Sequence, residues 1–258
     1  ADRMGFDCLY MTGYGSVASA LGLPDAGLAS YTQMLDRVTM IARTVRTPFI
    51  ADGDTGYGGL LNVAHTVRGY EAAGASAIQL EDQVFPNKCG HTPNRKVIPA
   101  EDMARKIRVA VEARNSADFL IVARTDARTA HGLDEALRRA EIYARAGADV
   151  LFVESPESED EMRMICERVG RPLLANMVEG GRTPVKSREV LQQLGYRIAI
   201  FPVTALLAAT EAMSAAYAAL KAQGSSAAMA QPLYPFGNMS TLMGFQEVWD
   251  FEKKYAED

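Results

Sequence analysis

Seven short apolar runs, at residues 6–12, 48–54, 77–82, 119–126, 150–154, 173–177 and 198–203, alternate with stretches of helical spacing. The helical stretches cover 33–45, 63–73, 100–114, 133–146, 159–169, 187–194 and 205–223. The first carries Met34, Val38, Ile41, Ala42 and Val45 on one face, and Gly74, Gly147, Gly170 and Gly195 stand where four others should stop. Ser187 is placed to cap another. The apolar runs are near-continuous Ile, Val, Leu and Ala, as in parallel strands covered on both faces. Strict alternation with short links gives an α/β fold with a parallel sheet. Polar residues close nearly every run: Thr12, Asp52 and Asp54, Glu81 and Asp82, Arg124 and Asp126, Glu154, Asn176 and Thr204. In an open sheet these would spread along an edge, whereas in a barrel they converge on one mouth. A (β/α)8 barrel is therefore the expected architecture, and 258 residues is an ordinary length for one.

The barrel is expected to occupy residues 1–224. Residues 225–258 read as a Ser/Pro/Gly-bearing linker and a helix over 240–255 whose apolar face (Leu242, Phe245, Val248, Trp249, Phe251) is expected to pack on a neighbouring subunit. The opening Ala1-Asp2-Arg3-Met4-Gly5 reads as the tail of a helix leading into a strand, so the first strand of the barrel is expected to lie outside this chain. With 27 basic and 32 acidic side chains the net charge is −5, and no basic stripe points to nucleic acid. No apolar run reaches the length of a membrane span. Cys8, Cys89 and Cys166 are too few and scattered for a disulfide framework, which points to a reducing, cytoplasmic setting.

The stretch Asp52-Gly53-Asp54-Thr55-Gly56-Tyr57-Gly58 carries the most chemistry. Carboxylates at i and i+2 of a strand point the same way, and the glycines let the backbone turn close to a ligand. Glu81 ends the next strand. Several carboxylates at one mouth suit a hard cation such as Mg2+, with Mn2+ as a substitute. They could instead cap helices or pair with Arg124, Lys88 and Arg182. The loop Asn87-Lys88-Cys89-Gly90-His91 is long and basic enough to form a lid, and Lys88 and His91 are expected to lower the Cys89 thiol pKa. Such a thiol could serve as a general acid or base, or be an ordinary loop cysteine. Arg124 suits a substrate carboxylate or phosphonate, or a salt bridge to Glu154 or Asp126. His65 and His131 are assigned no role. One Cys and one His in the loop do not make a zinc site, and no G-x-S-x-G elbow is present.

These residues bring a known family into view. The motifs Leu9-Tyr10-Met11-Thr12-Gly13-Tyr14-Gly15, Leu23-Pro24-Asp25, Asp52 to Gly58, Gln79-Leu80-Glu81-Asp82-Gln83, Lys88-Cys89-Gly90-His91, Ala123-Arg124-Thr125-Asp126 and Asn176-Met177-Val178-Glu179-Gly180-Gly181 span essentially the whole chain. Together they resemble the isocitrate lyase/phosphoenolpyruvate mutase superfamily, and within it the short carbon–carbon lyases such as 2-methylisocitrate lyase, 2,3-dimethylmalate lyase and petal death protein. The resemblance implies Asp52 as the direct Mg2+ ligand, with Asp25, Asp54 and Glu81 holding its waters. It implies Thr12, Gly13 and Tyr14 as a cradle for the 2-oxo acid end of the substrate, with Arg124, Glu154, Asn176 and Gly90 lining the rest. Cys89 resembles the general acid of these lyases, Tyr10 a base on the 2-hydroxyl, and Lys88 and His91 complete the catalytic motif. A homotetramer exchanging its C-terminal helix is also implied. The cysteine separates the lyases from the mutase and phosphonopyruvate hydrolase branch. Asn87 departs from the basic residue common there, which favours a dicarboxylate over a tricarboxylate.

The expected activity is thus Mg2+-dependent cleavage of a 2-hydroxy dicarboxylate to a 2-oxo acid and a carboxylic acid. Alternatives are oxaloacetate hydrolysis or decarboxylation in the same pocket, a phosphonopyruvate-type mutase or hydrolase, and a non-catalytic oligomeric barrel. A class I aldolase is disfavoured, because no strand ends in Lys.

Overall fold

The computed structural model describes residues 1–258 apart from Pro93, Ala228, Glu257 and Asp258. After a 3-10 turn at Asp2–Met4 come β1 (Leu9–Met11), α1 (Gly13–Leu21), α2 (Tyr31–Thr44), β2 (Phe49–Asp52), α3 (Leu60–Ala73), β3 (Ala77–Glu81), α4 (Ala100–Ala113) and β4 (Leu120–Thr125). Then follow α5 (Ala127–His131), α6 (Leu133–Arg145), β5 (Val150–Val153), α7 (Glu159–Arg168), β6 (Leu174–Asn176), α8 (Arg188–Leu194), β7 (Ile198–Ile200), α9 (Thr204–Gln223), α10 (Phe236–Leu242) and α11 (Phe245–Tyr255).

Every ladder is parallel and in chain order: β1 to β5 form one sheet and β6 with β7 another. A parallel bridge between Leu151 and Leu173 joins them. This is the α/β barrel topology. Seven strands stand among the described residues, and β1 and β7 each have one paired edge there. The strands are shorter than the apolar runs, because residues at the ends of the runs leave the ladder.

Helix starts follow local chemistry. Ser30 and Gln33 form a capping box at α2, and Ser158 and Ser187 cap α7 and α8 through side chain to backbone N–H bonds. Helix α1 has no stretch of large apolar residues to betray it in the sequence; it starts because the Thr12 hydroxyl accepts from Gly15 N–H. The expected helix over 240–255 is two helices. Met243 and Gly244 separate α10 from α11, with Gly244 in the left-handed region at φ 89°.

Strand parity explains the core and the mouth together. Ile50, Ala77, Val122, Val150, Phe152, Leu174 and Ile200 form one buried cluster, with Tyr10 and Ile198 against it. Their neighbours of opposite parity, such as Ala51, Ile78, Leu80, Ile121, Ala123, Leu151 and Ala175, pack instead against the helices. Followed two residues at a time past the last apolar layer, the inward rows end in Asp52, Glu81, Arg124, Glu154 and Asn176. The register sets Asp52 beside Gln79 and Glu81 beside Arg124, so the polar ends reach one level.

The chain divides into two compact units, Ala1–Ala205 and Leu206–Asp258. The division falls at the start of α9, so most of this helix belongs with the C-terminal residues rather than with the barrel. In the second unit no side chain of α10 or α11 is buried; Phe236 is 87 % exposed and Phe251 64 %. No described helix is long and apolar enough to cross a membrane.

Candidate active site

One pocket at the strand ends is lined by Tyr10, Thr12, Tyr14, Asp25, Asp52, Asp54, Glu81, Asn87, Lys88, Cys89, Gly90, His91, Arg124, Glu154 and Asn176, among others. All the expected site residues except Gly13 line it. The Gly13 N–H is not open to a substrate, because it donates to Asp52 Oδ2 at 3.1 Å, and a Cβ at Gly13 would come within 2.8 Å of that oxygen. Gly13 instead lets α1 approach Asp52.

Asp52 and Asp54 reach the pocket differently from the way a pleated strand would bring them. β2 ends at Asp52, and Asp54 sits beyond it in the left-handed region, φ 50°. The Asp54 N–H donates to Asp52 Oδ1 at 3.2 Å, so a local side-chain turn folds the second acid back beside the first. Asp52 also accepts from Gln79 Nε2 at 3.3 Å, and Asp54 from Asn87 Nδ2 at 2.8 Å. Beneath the loop, Tyr70 donates to the Asp52 carbonyl at 3.2 Å and its hydroxyl lies 3.0 Å from that of Tyr57.

The four acids are under-compensated. Burial, then repulsion from Asp52 and Asp25, raises Asp54 to about 7. Burial, then the charge of Asp52, raises Asp25 to about 6. Burial lifts Asp52 and Glu81 too, against the opposing pull of Arg124. Glu81 Oε1 is buried with no hydrogen-bond partner, and Oε2 has only Arg124 Nη1 at 3.4 Å. Hard oxygen donors with surplus negative charge are what a divalent cation requires, so the residues fit Mg2+. Among the described residues no three His, Cys, Asp or Glu side chains are grouped closely enough to chelate one ion together.

Asp82, one residue from Glu81, has the opposite parity and leaves the pocket. It accepts from Thr125 Oγ1 and Tyr143 OH, both at 2.7 Å, from Asp126 N–H at 2.9 Å and from Arg139 Nη1 at 3.0 Å. Arg124 lies over the Phe152 ring, 5.2 Å from its centroid. Its Nε and Nη2 donate to Asp126 at 2.9 Å, and Glu81 and Glu154 stand farther off, each at 3.4 Å. Asp126 thus holds the guanidinium, while its outer edge can exchange the two glutamates for a substrate carboxylate.

The Cys89 loop packs on this floor, where the Ser155 hydroxyl donates to the Gly90 carbonyl at 3.2 Å. A Cβ on Gly90 would come within 2.4 Å of Arg124 Nη2 and 2.7 Å of Glu154 Oε2, so only glycine fits. Gln83 holds the lid's near end through Nε2 to the Lys88 carbonyl (2.8 Å) and Oε1 from the Lys88 N–H (3.1 Å). The Lys88 side chain is exposed and forms no ion pair among the described residues. The expectation of a thiol with a lowered pKa is not met: burial pushes Cys89 up, outweighing the His91 N–H and Arg124. His91 is not a cation beside it. Burial lowers its pKa; Nδ1 accepts from Arg182 N–H at 3.3 Å, and Nε2 stands 3.4 Å from Asn176 Nδ2 and 3.6 Å from Glu154 Oε1. Tyr10 donates to Gln79 Oε1 at 2.9 Å, and burial, then Asp52, holds its phenol protonated. In this state it is a donor, not a base. Glu154 accepts from Asn176 Nδ2 at 3.0 Å and Ser155 N–H at 2.7 Å.

Gln79 and Gln83, quoted in a motif but given no role, and Arg95, outside every motif, have structural roles at the site. Gln79 carried the available signal: it is a polar side chain in the middle of a strand, between the apolar Ile78 and Leu80.

An α/β barrel with an acid cluster at its strand ends and a cysteine lid over an arginine defines the class. The chain matches the family described as phosphoenolpyruvate phosphomutase over residues 1–221, and it belongs to that family, within the isocitrate lyase/phosphoenolpyruvate mutase superfamily. It is 48 % identical over 254 residues to a 2,3-dimethylmalate lyase of Eubacterium barkeri, covering 98 % of this chain and 88 % of that one. It is 43 % identical over 257 residues to a 2-methylisocitrate lyase of Aeropyrum pernix, covering 100 % and 82 %. Among solved structures, oxaloacetate acetylhydrolase with the inhibitor 3,3-difluorooxalacetate matches with a TM-score of 0.93 at 34 % identity, covering 100 % and 88 %. A phosphonopyruvate hydrolase crystallised with oxalate and Mg2+ matches with a TM-score of 0.86 at 29 % identity, covering 99 % and 89 %.

Proposed function

We propose that this pocket is the active site of a Mg2+-dependent carbon–carbon lyase that cleaves a 2-hydroxy dicarboxylate, alkylated at C3, into a 2-oxo acid and a carboxylic acid. The observation that carries the reading is a half-buried thiol with a raised pKa, on a loop packed over an arginine and beside surplus carboxylates. Asp52 would hold the cation directly, with Asp25, Asp54 and Glu81 around its waters. Bound there, the cation supplies positive charge that polarises the substrate's 2-oxygen.

The chain's own groups divide the remaining work. Thr12 and Tyr14 border the 2-oxo acid end, and Arg124 takes a carboxylate on its outer edge while Asp126 fixes its plane. The 2-hydroxyl proton leaves to a base; Tyr10 is the candidate once the surrounding acids are neutralised, because their charge is part of what holds its proton on. The C2–C3 pair then moves onto the departing carboxylate as an enolate, and the Cys89 S–H protonates its carbon. A raised thiol pKa suits this donor role, because the proton is present at neutral pH. Closure of the loop over bound substrate would keep bulk water from quenching the enolate. Asn87 places a neutral amide beside Asp54, which favours a dicarboxylate.

The near-complete structural match to oxaloacetate acetylhydrolase supports a second reading, in which the pocket cleaves oxaloacetate to oxalate and acetate. A panel of C3-substituted malates and oxaloacetate, assayed for 2-oxo acid and for oxalate, separates the two. Release of oxalate alone would select the second.

We further propose that α10 and α11 pack on neighbouring copies in a homotetramer, supported by the exposed apolar side chains of both helices, such as Phe236, Met239, Phe245, Trp249 and Phe251. Light scattering of the purified chain at a monomer mass would contradict this. Three free thiols fit a reducing compartment, which we take to be the cytoplasm.

A further inference from the structure

We infer that Arg95 is a positioning residue that couples docking of the Cys89 lid to the orientation and charge of Arg124. The inference rests on the reading of Arg124 and the lid given above.

Arg95 does not line the pocket, and its side chain is 1 % exposed. Its three donor nitrogens reach three residues on two segments, Thr92 of the loop and Asp126 and Thr129 at the start of α5. Nε donates to the Thr92 carbonyl at 3.2 Å, Nη2 to Thr129 Oγ1 of α5 at 2.7 Å, and Nη1 to Asp126 Oδ1. Thr92 is tied in turn to Cys89, whose carbonyl accepts both the Thr92 N–H at 3.0 Å and its hydroxyl at 2.8 Å. On the other side Asp126 grips Arg124 through Nε and Nη2. The path from the lid thiol's own backbone to the substrate arginine is therefore Cys89, Thr92, Arg95, Asp126, Arg124. It closes on itself where Gly90 rests on Arg124.

Two separable effects follow. The first is charge. Asp126 is shared by two guanidinium groups, so Arg124 keeps positive charge for an incoming anion; without Arg95, Asp126 would neutralise Arg124 alone. The second is geometry. A planar fork satisfies three acceptors at fixed angles, and a lysine ammonium in its place keeps the charge but loses the fork. Arg95→Met should remove both effects, and Arg95→Lys only the second.

The test uses the intact chain with Mg2+ and oxalate as the probe. Trypsin cleavage after the exposed Lys88 and Lys96 reports lid docking, and calorimetry reports oxalate affinity. In the parent chain, saturating oxalate should slow lid cleavage about tenfold or more. In Arg95→Met, oxalate should bind about tenfold more weakly and give little protection even at saturation. In Arg95→Lys, affinity should return to within about threefold while protection stays lost, and kcat should fall more than KM rises. Thermal melts identify a variant that does not fold, in which case Arg95→Lys decides alone. Full protection by oxalate in either folded variant would overturn the coupling. If the parent chain is not protected by oxalate, the reading of the site fails and the inference falls with it.

Discussion

Two groups of acids share the barrel mouth, and they differ in what faces them. Asp82 and Asp126 meet three guanidinium groups, from Arg95, Arg124 and Arg139, together with hydroxyls and an N–H. Burial and Asp126 still lift the Asp82 carboxyl, but four donors hold it in place. Of Asp25, Asp52, Asp54 and Glu81, only Glu81 comes within ion-pair distance of a cation, Arg124 at 3.4 Å; Asp52 and Asp54 have only neutral donors, and Asp25 and Asp54 are raised to about 6 and about 7. The first group is finished by the protein and braces β3, β4 and α6. The second is left with charge to give to a ligand. Adjacent residues, Glu81 and Asp82, fall on opposite sides of this division because the pleat turns one inward and the other toward the helices.

The largest expected contrast is between Asp52→Asn and Asp82→Asn. Asp52→Asn should lower kcat about a thousandfold or more while leaving the metal-free melting temperature unchanged or higher, since it removes a repelling charge. Asp82→Asn should do the reverse: it leaves Arg139 short of its buried partner and should cost about 3 kcal/mol or more in denaturant unfolding. Equal effects of the two on stability would break the comparison. Next, Cys89→Ser should reduce turnover about a hundredfold with little change in oxalate affinity; a full rate would remove the thiol from the mechanism.

The smallest effect is one of pH. An acid whose pKa is higher folded than unfolded favours the fold at low pH and withdraws stability as pH rises through its folded value. For Asp25 and Asp54 that loss falls between the ordinary carboxylate range and about 6 to 7. A cation needs the ionised forms, so Mg2+ should raise the melting temperature more at about pH 8 than at about pH 5.5. A Mg2+ effect independent of pH over that range would show that these acids do not hold it.

Much of this was legible in the chain itself. Apolar runs alternating with helical spacing led directly to a parallel α/β barrel, and the polar residues closing those runs marked the mouth. The motifs led to the family. What the residues could not convey was direction and burial. Asp54 reaches the pocket through a left-handed turn rather than strand alternation. The Gly13 N–H is taken by Asp52. Proximity of Lys88 and His91 in sequence suggested a thiolate at Cys89, yet burial dominates and His91 points its unprotonated nitrogen at the Arg182 backbone. Arg95 gave no signal, because its importance lies in contacts to Thr92, Thr129 and Asp126 that only the folded loop creates. The break at Gly244 was hidden by an apolar pattern that runs through both helices.

The most direct test is turnover of a C3-alkylated malate panel by metal-stripped protein titrated with Mg2+. The account predicts no 2-oxo acid from the stripped protein and release restored as Mg2+ is added, with Asp52→Asn silent throughout. Undiminished turnover after stripping, or Mg2+ binding with no 2-oxo acid from any member of the panel, would contradict it.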